Sequence, residues 1–194
     1  MSSKIYPIGI QNFEKIRKDG YFYIDKTALI YKLVKTGSYY FLSRPRRFGK
    51  SLLVSTLDAY FRGKKDLFQG LAMERLEKEW NVYPVLHLDF SMTKYTALSD
   101  LLGQLNLNLY DWEKLYGKEE VEGTPAERFR GVIRRAYEQT GKPVVVLIDE
   151  YDAPLLDSNH LPELQNELRE EMRKFFSPLK AQGEYLRFLF LTGI

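Results

Sequence analysis

Gly49, Lys50 and Ser51 are the residues whose types and spacing point most directly to chemistry, because they follow a short apolar run and open an amphipathic segment. The first turn of a helix presents N–H groups without partners and the positive end of the helix dipole, and both attract anions. A lysine at this place can reach β- and γ-phosphate oxygens, and a serine hydroxyl can bind Mg²⁺. The tripeptide therefore predicts a phosphate site, although Gly-Lys-Ser can also be an ordinary helix start.

The loop before this tripeptide departs from the general phosphate-binding pattern G-x-x-x-x-G-K-[ST], because Arg44 stands where that pattern has its first glycine. Its context still favours phosphate binding, since residues 39–42 read as a strand and the apolar residues after the loop recur at helical spacing. The residues predicted to bind the nucleotide are Arg44, Pro45, Arg46, Arg47, Phe48, Gly49, Lys50, Ser51 and Leu52.

A second motif places two carboxylates at the end of the apolar run 144–148. An unbroken aliphatic run of this kind predicts a parallel strand buried on both faces. Asp149 and Ser51 are the predicted magnesium residues, with Asp149 acting through the water shell of the ion. Glu150 and Lys50 are the predicted catalytic residues, Glu150 by polarising the water that attacks the γ-phosphate. The alternative is a buried strand whose acidic end is simply solvated.

Three stretches, 23–27, 44–52 and 148–154, resemble the AAA-ATPase-like proteins of bacteria and archaea, whose phosphate loop reads RPRRFGKS. The resemblance covers nearly the whole chain, and Arg44 agrees with this family's version of the loop. It implies an ATPase of the class with an added central strand and a catalytic glutamate. Such proteins commonly continue into a restriction-endonuclease-like nuclease domain, so a nucleic-acid partner is expected only through a C-terminal domain that this chain lacks.

Thr192 follows the last apolar run, residues 186–191. In related ATPases the strand after the acidic strand ends in a polar residue that contacts the γ-phosphate or the attacking water. The resemblance therefore makes Thr192 a candidate γ-phosphate sensor. A β-branched residue that merely ends a strand is the equal alternative.

The rest of the chain must position these residues, and it alternates helical and strand patterns without repeats, which predicts an α/β fold with a mainly parallel sheet. The resemblance implies the three-layer P-loop NTPase fold over residues 1–194, incomplete after the fourth core strand. Helical spacing covers residues 12–18, 25–35, 50–62, 98–116, 125–137 and 161–179, and strand patterns cover residues 39–42, 85–90, 144–148 and 186–191.

Several other polar residues admit two interpretations. Asp25 reads most simply as a helix cap, and Asp152 either as a turn residue or as a further metal ligand. Asp89 lies near the end of a strand and could act as a further acid near the phosphates. His87 and His160 have no companions at metal-ligand spacing, so no zinc site follows.

Composition excludes several classes of protein. The 194 residues include no cysteine, so there is no disulfide framework and no thiolate metal site. No apolar run approaches the length that spans a bilayer, and we expect a cytoplasmic protein without a membrane partner. The net charge of +3 is too mild to indicate a polyanion partner by itself.

These features support two hypotheses. The first is Mg²⁺-dependent ATP hydrolysis, with ATP and Mg²⁺ as cofactors, that drives or gates an effector domain absent from the chain. The second is a regulatory switch that holds ATP or ADP with little turnover. A homo-oligomer could supply an arginine from a neighbouring subunit. A small-molecule kinase is disfavoured, because the sequence reveals neither an acceptor pocket nor a lid.

Overall fold

The structure is a computed structural model that describes residues 5–194, so residues 1–4 of the predicted domain lie outside the described part. The strands in this range are β1 (Tyr39–Ser43), β2 (Val85–Asp89), β3 (Val144–Asp149) and β4 (Leu186–Gly193). They form one four-stranded sheet in the order β1-β4-β3-β2, and every pair is parallel. The predicted α/β fold with a parallel sheet is therefore confirmed, and β4 is the added strand between β1 and β3.

The helices in the same range alternate with the strands along the chain. They are α1 (Phe13–Lys18), α2 (Thr27–Thr36), α3 (Lys50–Phe61), α4 (Ala72–Leu76), α5 (Leu98–Tyr116), α6 (Pro125–Thr140), α7 (Ala153–Asp157), α8 (Pro162–Phe176) and α9 (Pro178–Ala181). Short 3-10 helices occupy Lys65–Phe68, Phe90–Met92 and Gly183–Tyr185. Across residues 5–194, no helix combines the length and apolarity that crossing a membrane requires.

Strand β3 shows why the fold has three layers. Its side chains alternate between two cores, so that Val145 and Leu147 pack with α2 and α3 on one face of the sheet. Val146 and Ile148 pack with α5, α6 and α8 on the other face. Both faces of β3 are thus covered by helices, which explains why its sequence is apolar at every position before the final acid.

The strand register brings the carboxyl ends of all four strands to one edge of the sheet. Ser43 at the end of β1 lies beside Gly193 of β4, and Asp89 at the end of β2 lies beside Asp149 of β3. The loop after β1 continues this pairing, because the Arg44 N–H donates to the Gly193 carbonyl at 3.2 Å. Ligands of open parallel sheets bind at this edge, which is where both sequence motifs end.

The N-terminus of α6 has a capping box. The Thr124 hydroxyl accepts from the Glu127 N–H at 3.3 Å, and the Glu127 carboxylate accepts from the Thr124 N–H at 2.9 Å. Within α6, Gly131 lies against a buried ion pair, in which two guanidinium nitrogens of Arg135 donate to Glu122 at 2.6 and 3.0 Å. A Cβ atom on Gly131 would lie 1.7 Å from Glu122 Oε1, so the ion pair depends on the glycine.

The prediction of a single helix over residues 161–179 is wrong in one respect, because the structure divides this stretch into α8 and α9. Pro178 begins α9, and because a proline lacks the N–H group it cannot donate the hydrogen bond that would continue α8. Two short helices, α4 and α7, were not predicted at all. Each has five residues, too few for the apolar spacing of a helix to repeat.

Candidate functional site

The loop from Arg44 to Gly49 turns the chain from β1 into α3. Two of its residues have left-handed backbone, with φ of 68° at Arg47 and 78° at Gly49. Within the described residues no side chain caps the start of α3. The first N–H groups of the helix therefore point into the loop without a side-chain acceptor, which is the arrangement that binds phosphate in other proteins.

Lys50 is the side chain that joins the loop to the acidic strand end. Its Nζ donates to the Arg44 carbonyl at 2.9 Å and to the Pro45 carbonyl at 3.4 Å. It also lies 3.2 Å from Glu150 Oε1, and the residue is only 4% exposed. The structure thus places the two predicted catalytic residues, Lys50 and Glu150, in direct contact at the edge of the sheet.

Thr192 holds both acidic residues from the neighbouring strand. Its hydroxyl donates to Asp149 Oδ1 and accepts from the Glu150 N–H at 3.0 Å, and its side chain is fully buried. Glu150 itself has left-handed backbone with φ of 51°. The hydrogen bonds of Thr192 therefore fix the Asp149 carboxylate and the backbone from which the Glu150 side chain departs.

Ser51 and Asp149, the predicted magnesium residues, line one cavity of about 420 Å³ together with Asp89. A hydroxyl and carboxylates are the oxygen donors that Mg²⁺ prefers. Among residues 5–194 no group of three or more His, Cys, Asp or Glu side chains forms a metal site on its own. Magnesium at nucleotide sites is held by one or two carboxylates plus phosphates and water, so the residues present fit this ion.

The same cavity has a charged wall that was not predicted from the sequence. Asp58 on α3 accepts from Arg62 Nε at 2.7 Å and lies 3.5 Å from His87 Nδ1. Burial works against ionisation of Asp58, but hydrogen bonds from His87 and Arg62 outweigh it and lower the pKa of the carboxyl below its ordinary value. The sequence contains one sign of this wall, the helical spacing of Ser51, Ser55 and Asp58. This spacing predicts a polar stripe on one face of α3, and all three residues line the cavity.

The arginines and the apolar residues of the loop take other positions. Arg44, Arg46 and Arg47 are exposed, so their charge is presented at the surface around the loop. Phe48 is 69% exposed and, like Leu52, borders a different cavity on the opposite flank of α3. The predicted nucleotide-binding stretch therefore has an anion-attracting part and an apolar part.

Asp25 and Asp152 hold chain segments together. Asp25 accepts from the Thr27 N–H at 2.8 Å, at the start of α2, and from the Ala72 N–H at 2.7 Å, at the start of α4. Asp152 accepts from the Ile194 N–H at 2.7 Å. The Asp25 contacts support its capping interpretation, whereas the Asp152 contact joins the segment after β3 to the residue after β4.

The chain is similar to another protein along its whole length. A protein of Azotobacter chroococcum mcd 1, described as "Uncharacterized protein in vnfD 5'region", is 40% identical over 195 residues. The match covers 100% of this chain and 38% of that protein, so the chain spans well under half the length of this relative. No solved structure matches the chain. The model of the family described as "Predicted AAA-ATPase" matches residues 7–194, and the chain belongs to that family.

Proposed function

We propose that this chain binds ATP with Mg²⁺ and hydrolyses the bond between the β- and γ-phosphates. Membership of the family supports nucleotide binding in general. The observation that carries the proposal of hydrolysis is the contact of Lys50 with Glu150, 3.2 Å apart at the carboxyl edge of the sheet. One bound triphosphate would then have Lys50 as a cation for its phosphates and Glu150 as a carboxylate for the attacking water.

Binding would begin with an exchange of partners at Lys50. The phosphate oxygens of ATP would replace the Arg44 and Pro45 carbonyls and the Glu150 carboxylate as acceptors for the ammonium group. The first N–H groups of α3 would donate to the same phosphates. Ser51 and Asp149 would hold Mg²⁺, which supplies positive charge against the developing negative charge on the phosphates.

Release of Glu150 from Lys50 would leave its carboxylate as acceptor for a proton of the attacking water. Thr192 would keep the Glu150 backbone and the Asp149 carboxylate in place through its two hydrogen bonds. Catalysis of this kind depends on positioning and electrostatics, because phosphoryl transfer needs little covalent participation by the protein.

The second candidate function is a nucleotide switch with little turnover. The contact between Lys50 and Glu150 favours it, because a nucleotide that takes Lys50 would change the bonding of the acidic strand end without hydrolysis. In either case we propose that the chain drives or gates an effector domain in a longer protein. We also propose that any nucleic acid binds through such a domain, and that a homo-oligomer could contribute an arginine.

The test compares Glu150→Gln with the unchanged chain. We expect Glu150→Gln to bind ATP and to release phosphate at least about 100-fold more slowly, because the amide cannot accept the proton. Lys50→Ala should lose ATP binding altogether. Glu170→Gln, whose side chain is 59% exposed on α8, is the matched control and should behave like the unchanged chain. Normal turnover by Glu150→Gln would refute its catalytic role, and tight ADP binding with background turnover in the unchanged chain would favour the switch.

A further inference from the structure

An apolar cavity of about 450 Å³ borders the phosphate loop on the opposite flank of α3 from Ser51 and Asp149. Its walls come from the loop and α3, through Gly49 and Leu52, and from residues 6–30. The volume lies within the range of about 300 to 1,000 Å³ that is typical of small-molecule sites. The cavity therefore has the size of a small-molecule site and adjoins the loop.

Aromatic side chains stand at this cavity with much of their surface exposed. Phe22 is 40% exposed and packs edge-on against Tyr6, with ring centroids 5.5 Å apart. Phe48, within the phosphate loop, is 69% exposed and borders the same cavity. Exposed aromatic rings around a concave apolar site are suited to stacking against another flat ring.

Helix α3 presents a different chemistry to each flank. Ser51 and Ser55 face the cavity that also contains carboxylates, whereas Leu52 and Thr56 face the apolar cavity. A nucleotide has a matching asymmetry, with an anionic phosphate end that binds metal and a flat aromatic base. The apolar cavity contributes one cation, Lys26, and no carboxylate from the described residues.

We propose that this apolar cavity binds the base of the nucleotide, with Phe22 and Phe48 as stacking surfaces. The proposal rests on the proposed function, because the phosphate loop sets where the other end of the ligand lies. Gly49 borders the cavity and is also the residue before Lys50, so the cavity adjoins the residues proposed to bind phosphate. Residues 6–30 thereby gain a role in base binding. They lie outside the two sequence motifs.

The experiment compares two ligands by calorimetric titration: ADP, which has a base, and inorganic tripolyphosphate, which has none. Phe22→Ala removes a stacking ring, and Leu29→Trp fills the cavity from a rim residue that is 69% exposed and therefore tolerant of substitution. Leu107→Trp makes the same change at a 58% exposed position on α5, outside the cavity, and is the matched control. Thermal melting of each variant serves as the control for folding.

We expect Phe22→Ala and Leu29→Trp each to weaken ADP binding about ten-fold or more while leaving tripolyphosphate binding unchanged. Leu107→Trp should bind both ligands normally. If ADP binding is unchanged in both variants while Lys50→Ala abolishes it, the base lies elsewhere and the proposed function stands. Equal losses for ADP and tripolyphosphate would show that the cavity supports the loop and would overturn the base site. If the unchanged chain binds neither ADP nor tripolyphosphate, both proposals are overturned.

Discussion

Lys50 and Glu150 hold each other across the edge of the sheet, with Nζ 3.2 Å from Oε1. Lys50 belongs to the loop motif and Glu150 directly follows β3, so this contact joins the two sequence motifs. Under the proposed function, a nucleotide has to displace this contact before either residue can act on it.

This contact predicts that Glu150→Gln binds ADP a few-fold more tightly than the unchanged chain. Replacing the carboxylate by a neutral amide removes the anion that competes with phosphate for Lys50. Calorimetric titration with ADP measures the change, and Glu170→Gln controls for the loss of one negative charge at a distance. Weaker binding by Glu150→Gln would mean that the carboxylate assists the nucleotide rather than competing with it.

Thr192 is predicted to act as a positioning residue for both acids. Thr192→Val keeps the shape but removes the hydroxyl that donates to Asp149 and accepts from the Glu150 N–H. We expect turnover to fall about ten-fold or more, and the Mg²⁺ concentration for half-maximal activity to rise, because Asp149 loses its orientation. Thr192→Ser retains the hydroxyl and should restore both values. A valine variant with unchanged Mg²⁺ dependence would contradict this role.

Glu77 is predicted to stabilise the fold in a pH-dependent manner. Burial opposes its ionisation, but hydrogen bonds from Tyr60, the Glu79 N–H and Lys35 outweigh burial and lower the pKa of Glu77 to about 2. A carboxyl with a depressed pKa stabilises the folded state above its unfolded pKa, and this stabilisation is lost as the pH falls toward the folded pKa.

Glu77→Gln should therefore lower the free energy of unfolding by about 2 kcal/mol at neutral pH. The difference from the unchanged chain should hold down to the ordinary pKa of 4.5 and then shrink. At about pH 3 less than half of it should remain. Urea unfolding at a series of pH values measures this. A difference that is the same at pH 3 and at neutral pH would mean that charge is not its source.

Gly131 and Gly103 predict opposite responses to the same substitution. Both lie within long helices, but a Cβ on Gly131 would meet Glu122 Oε1 at 1.7 Å, whereas a Cβ on Gly103 has nothing within 4 Å. Gly131→Ala should lower the free energy of unfolding by about 1–3 kcal/mol, because the added methyl group forces the buried pair of Glu122 and Arg135 to shift. Gly103→Ala should gain roughly 0.5–1 kcal/mol, because alanine favours the helix. Equal effects in urea unfolding would contradict the role of the ion pair.

The sequence predicted most of the fold because its strongest patterns are local. The unbroken apolar run of β3 required helices on both faces, and the structure places them there. The capping residues of α6 act between neighbours in the chain, which is the kind of contact that a sequence pattern can report. The loop and the acidic strand end were assigned to one site from their types, and the parallel register explains why they meet.

The features that sequence reasoning missed are contacts between distant parts of the chain. Asp58 meets His87 only because α3 lies across β2, and no local pattern reports that packing. The apolar cavity likewise joins Phe22 to Phe48 through the packing of residues 6–30 on the loop. Such contacts depend on tertiary packing, for which periodicity within a segment contains no information.

The left-handed backbone of Glu150 sets folding stability against the proposed turnover at one position. A side chain with φ of 51° costs about 1 kcal/mol or more relative to glycine, which adopts this conformation freely. Selection for stability alone would thus replace Glu150 by glycine, and under the proposed function the result would be a more stable protein without turnover. The persistence of a carboxylate on such a backbone would be a sign of selection for turnover, and its loss in a descendant would mark a lineage that had kept the fold for another use.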